Sequence, residues 1–96
     1  MFQIGQDLST GSTQEFEHRF GGQLVNLFIE GEFDGATLQI EAKSPSGSFV
    51  PVSESSITEP GLYLFSNDVP NTYKLSMTGE GVSTLINVYI NGQVKV

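Results

Sequence analysis

Apolar residues recur at a spacing of two along most of this 96-residue chain. The cleanest instance is Ala36, Leu38, Ile40 and Ala42, interleaved with Thr37, Gln39, Glu41 and Lys43. Successive side chains of an extended chain point to opposite sides, so this pattern predicts a strand buried on one face. Ser44-Pro45-Ser46-Gly47 comes next, with Pro45 presetting φ for a turn and Gly47 free to take positive φ. Phe49 to Val52 is therefore expected to return antiparallel, and residues 33–52 form the clearest supersecondary unit. Thr72 to Thr78 repeats the alternation, with Tyr73, Leu75 and Met77 inward and Thr72, Lys74, Ser76 and Thr78 outward.

The remaining segments follow the same period. Met1 to Ile4 alternates and stops at Gly5; with the polar stretch Gln6 to Ser12 it reads as an N-terminal arm or edge strand over residues 1–12. Thr13 to Phe20 places Phe16, His18 and Phe20 on one face. Gly21-Gly22 predicts a hairpin corner over Phe20 to Leu24, and Val25, Leu27 and Ile29 then form the core face of the next strand. Ser53 to Pro60 reads as a loop, with Pro60-Gly61 as the centre of a type II turn. A short strand follows, with Leu62 and Leu64 on one side and Tyr63 and Phe65 on the other. Gly79-Glu80-Gly81 turns the chain, and Val82 to Ile90 returns with Ile86, Val88 and Ile90 on one face and Leu85, Asn87 and Tyr89 on the other. Asn91-Gly92 predicts a type I′ hairpin that brings Gln93 to Val96 back. No window has helical spacing, glycine recurs throughout, and β-branched and aromatic residues fill the periodic positions. The expected fold is all-β, one domain over residues 1–96. It is an antiparallel sandwich of jelly-roll or immunoglobulin-like type with about eight strands, or else a small barrel.

Composition narrows the function more than it defines it. Eleven acidic against four basic residues give a formal charge of −7, which repels phosphate backbones and anionic lipid. Arg19, Lys43, Lys74 and Lys95 are scattered along the chain, so sequence proximity builds no basic stripe, and neither nucleic acid nor membrane is expected as a partner. No cysteine is present, which excludes thiolate catalysis and cysteine-bound metal. There is no basic-then-apolar leader and no apolar run near the ~20 residues that span a bilayer, so a soluble product of the cytoplasm is expected.

Four stretches carry a family likeness: Phe33-Asp-Gly-Ala-Thr-Leu-Gln-Ile-Glu, Ser44-Pro-Ser-Gly-Ser-Phe-Val-Pro-Val, Thr58-Glu-Pro-Gly-Leu-Tyr-Leu-Phe, and the run from Thr72 through Gly79-Glu-Gly-Val-Ser-Thr-Leu to Ile90. In this order they resemble small virion proteins of tailed bacteriophages, of the kind that decorates or stabilises the capsid. The likeness covers roughly residues 30 to 91, and Phe49 stands where the family often has tryptophan. It implies a β-sandwich that oligomerises, commonly as a trimer, and docks on the outside of a lattice of major capsid protein. It implies a virion location after synthesis in the host cytoplasm, no cofactor and no catalytic residues.

Residues that could carry chemistry have plain alternatives. Glu30, Glu32 and Asp34 would share a face if extended, and clustered carboxylate oxygens can hold calcium. Yet no EF-hand spacing is present, Asp34-Gly35 is an ordinary turn pair, and no metal site is assigned. His18 is the only histidine and sits between two phenylalanines, the setting of a packed side chain. No serine stands in a Gly-x-Ser-x-Gly elbow, so the chain is not expected to be an enzyme. Assembly has better support. The strands 24–29 and 85–90 are apolar on both faces, so their second faces need a cover. Leu24, Phe28, Leu85 and Tyr89 are the candidates there, joined by Tyr63 and by Phe2 and Ile4 of the arm, as an oligomer or partner interface. A carbohydrate- or receptor-binding module of a phage tail or fibre is the other reading, using exposed tyrosines; the absence of tryptophan weighs against it.

Overall fold

The computed structural model describes residues 1–18, 24–66, 71–92 and 94–96. Among these residues there is no helix, and the strands form two antiparallel sheets stacked as a sandwich. The strands are β1 (Phe2–Leu8), β2 (Phe16–His18), β3 (Val25–Glu32), β4 (Thr37–Lys43), β5 (Phe49–Ile57), β6 (Gly61–Phe65), β7 (Asn71–Thr78), β8 (Leu85–Asn91) and β9 (Val94–Lys95). One sheet has the order β1-β8-β3-β6, the other β5-β4-β7-β2-β9.

The inward faces are the ones that the period of two selects. Val25, Leu27, Ile29, Ile86, Val88 and Ile90 from the four-stranded sheet meet Leu38, Ile40, Tyr73, Leu75 and Met77 from the other. His18 is also inside, with its ring edge-on to Phe65 at a centroid distance of 6.2 Å. Phe65 is also edge-on to Tyr73, which lies against Phe16, so the buried histidine is a core side chain at the end of a chain of aromatic contacts.

Connectivity departs from the expectation of successive hairpins. The chain changes sheet at every connection except β4 to β5. That single hairpin is the one predicted over residues 33–52, with Lys43 opposite Phe49 and Ala42 opposite Val50. β2 and β3 lie in different sheets, so they are not paired as a hairpin; the Gly21-Gly22 corner itself lies outside the described residues. The Asn91-Gly92 hairpin is also corrected. Only Gly92 of that pair has positive φ, and β9 leaves β8 to pair with β2 in the opposite sheet. Reversal signals mark where a chain turns back, and a strand that arches over the core uses the same residues as one that pairs with its predecessor.

Two further boundaries shift. β1 runs to Leu8 and pairs with β8 of its own sheet through two bulges, while Gly11 to Thr13 bonds along β7. The Ser53 to Pro60 loop is strand as far as Ile57, and Gly61 opens β6 instead of centring a turn.

Candidate interaction surface

The solvent face of the four-stranded sheet is where the structure gathers apolar side chains. Strand register builds it row by row, because directly opposed residues lie on the same face. Phe28 of β3 is opposite Leu62 on one side and Tyr89 on the other. Tyr89 is in turn opposite Gln3 of β1. The neighbouring row is Leu64, Asn26 and Asn91. Leu62 and Leu64 are 55% and 63% exposed, and Leu24, just before β3, is 59% exposed. Phe28 and Tyr89 are half-buried between their neighbours. The result is an apolar band across β6, β3 and β8.

Of the seven interface candidates, Leu24, Phe28 and Tyr89 belong to this band. Leu85 is on the same face but apart from it, opposite Glu32 and beyond the Glu30–Asn87 row. Phe2 is exposed at the sheet margin, where its partner is the inward Ile90. Two candidates are corrected. Ile4 is 2% exposed and part of its own domain's core. Tyr63 faces inward, because its register partner is the fully buried Leu27, and its hydroxyl donates to the Glu59 carbonyl at 2.6 Å. Leu62 and Leu64, on the opposite side of the strand, are the exposed pair. The signal that decides this is Phe65, the larger side chain, which pairs with Val25 and fills the core beside Tyr73.

The acidic stretch does not act as one cluster. Glu30 and Glu32 are exposed on β3, while the chain turns at Asp34, which accepts a hydrogen bond from the Ser83 amide at 2.9 Å. Among the described residues, no group of three or more histidine, aspartate or glutamate side chains is placed to hold a metal ion. The opposite sheet carries what sequence proximity could not show. Lys43 and Lys95 line one shallow hollow with Glu15 and Glu17, and the Lys74 ammonium stands 4.4 Å above the Phe49 ring. Register brings these distant cations to one polar face, balanced by glutamates.

A second hollow, of about 300 Å³, lies on the open side of the sandwich between the edges of β5 and β6. Leu27 and Ile40 form its floor, Tyr63 and Phe65 one wall, Val52 and Ser55 the other. Among the described residues that line it there is no convergent set of titratable groups, and the carboxylate on its rim is Glu54. No family model, curated protein or solved structure matches the chain.

Proposed function

We propose that this protein is a non-enzymatic structural protein that works by assembly, associating with itself and docking on a larger lattice. The observation that carries the reading is the apolar band of Leu24, Phe28, Leu62, Leu64 and Tyr89 on the solvent face of a sheet whose other face is already buried. Exposed contiguous apolar surface of this kind marks interaction sites. Covering the exposed half of each leucine recovers about 1 kcal/mol, so several copies acting together are needed for stable attachment.

The resemblance of residues 30–91 to phage virion proteins gives this reading a particular form. In that form the chain is a capsid decoration protein, made in the host cytoplasm and bound outside the lattice of the major capsid protein, where an acidic surface keeps it off nucleic acid. Light scattering coupled to size exclusion tests the assembly step, with an oligomer expected and a monomer at tens of micromolar excluding it. Co-sedimentation with emptied tailed-phage capsids tests the docking step. Saturable pelleting is expected, and Phe28→Lys should abolish it.

A further inference from the structure

We propose that β6 pairs antiparallel with β6 of a second copy of the chain, across a two-fold axis at Tyr63, so that the two four-stranded sheets become one. The inference rests on the assembly reading and names the edge through which two copies join. It comes from comparing the four sheet edges. Natural proteins guard exposed edges with charges, proline, bulges or short strands, since an open row of backbone groups recruits other strands. β1 is interrupted by two register shifts and carries Asp7 at φ 47°. β5 contains Pro51, a register shift and Glu54 at φ 58°. β9 is two residues long and contains Lys95. Among the described residues β6 alone is unguarded: Gly61-Leu62-Tyr63-Leu64-Phe65 has no charge or proline and pairs with β3 without a shift.

The occupant follows from the same five residues. In a chain of charge −7, two copies repel except where a surface lacks carboxylates, and β6 is the only edge without a charged side chain. Leu62-Tyr63-Leu64 reads the same in both directions, so an antiparallel self-pair sets Leu62 against the partner copy's Leu64 and Tyr63 against its equivalent. The four leucines then form a cross-strand cluster on the outer face, continuous with Phe28. The added strand also extends the sheet over the hollow whose wall includes Tyr63 and Phe65.

Cross-linking reads the register directly, because the chain has no cysteine of its own. Opposed residues of an antiparallel pair have Cα atoms about 4.5–5.5 Å apart, within reach of a disulfide, and diagonal ones about 7–8 Å apart, outside it. Leu62→Cys and Leu64→Cys chains, mixed and oxidised, should give a covalent dimer at least about tenfold faster than either alone. Both positions are exposed, so the variants keep the fold. Leu64→Lys should convert the wild-type dimer to monomer, and Leu24→Lys, on the same face but off the edge, should not. Equal cross-linking in all three samples, or a wild-type trimer, overturns the edge pairing and leaves the assembly reading standing. A wild-type monomer overturns both.

Discussion

The Thr84 hydroxyl donates to the Phe33 carbonyl at 2.7 Å, joining turns that are 51 positions apart in the chain. Thr84 accepts the Gly81 amide at 2.9 Å in return, while the Ser83 amide donates to Asp34. Asp34 and Gly35 both have positive φ, and the Ala36 amide closes the turn onto the same Phe33 carbonyl. The arches β3–β4 and β7–β8 are thus one hydrogen-bonded unit at the end of the sandwich, built from the Phe33-Asp-Gly-Ala and Gly-Glu-Gly-Val-Ser-Thr stretches.

Thr84 is buried, so removing its hydroxyl takes the Gly81 amide's partner and leaves the Phe33 carbonyl with the Ala36 amide alone. Thr84→Val is expected to lower stability by about 1–3 kcal/mol. Thr84→Ser, which keeps the donor and acceptor, should recover most of that loss. Urea unfolding of the three proteins measures it, and equal midpoints for the valine and serine variants would show that the hydroxyl carries no weight.

Two glycines with positive φ should respond differently to alanine. At Gly31, φ 113°, a Cβ would run into the Leu85 carbonyl oxygen across the β3–β8 pairing, so backbone has to move. At Gly47, φ 92°, in the β4–β5 turn, a Cβ meets nothing within 4 Å. Gly47→Ala should cost about 1–2 kcal/mol, the left-handed strain alone, and Gly31→Ala about 4 kcal/mol or more. Thermal unfolding separates the two, since 1 kcal/mol is worth roughly 4–8 °C in a domain of this size.

The contrast shows what the sequence made legible. Which residues face inward could be read from spacing, because Leu38, Ile40, Leu75, Ile86 and Val88 obey the geometry of their own strand. Where an arch takes the next strand could not, since Gly31's close approach to Leu85 and Asp34's bond to Ser83 depend on pairing between distant segments. Leu62 and Leu64 fell between these cases. Both faces of β6 are apolar, so spacing left two orientations, and only the larger pair, Tyr63 and Phe65, fitting the core decides between them. The apolar outer face is therefore legible in the sequence on β3 and β8 and not on β6.

Tyr73 ties the core to pH. It is fully buried, and burial pushes its hydroxyl above the ordinary tyrosine value of 10.0 by penalising the phenolate. A folded-state value raised above the unfolded one gives stability that is complete below pH 10 and is lost as pH rises toward the folded value, because the unfolded chain releases its proton first. Chemical denaturation across pH 8 to 11.5 should show this fall, and Tyr73→Phe should flatten it. An equal slope in both proteins would assign the alkaline loss to other groups.

β5 keeps its irregular edge through Gln39. The Gln39 amide nitrogen donates to the Val52 carbonyl at 2.8 Å and to the Ser55 hydroxyl at 2.6 Å, and its oxygen accepts from the Ser56 hydroxyl at 2.9 Å. Ser55 in turn donates to Val52 at 2.7 Å. These bonds hold the two ends of the bulge in which Glu54 sits at φ 58°, a conformation that strains an L-residue. Gln39→Ala should therefore cost about 1–3 kcal/mol and speed amide exchange over residues 52–56. Glu54→Gly, relieving the strain with the bulge intact, should gain up to about 1 kcal/mol. If the alanine variant exchanges no faster there than the wild type, the bulge is held by the turn chemistry of Pro51 and Ser53 instead, and Gln39 is a bystander.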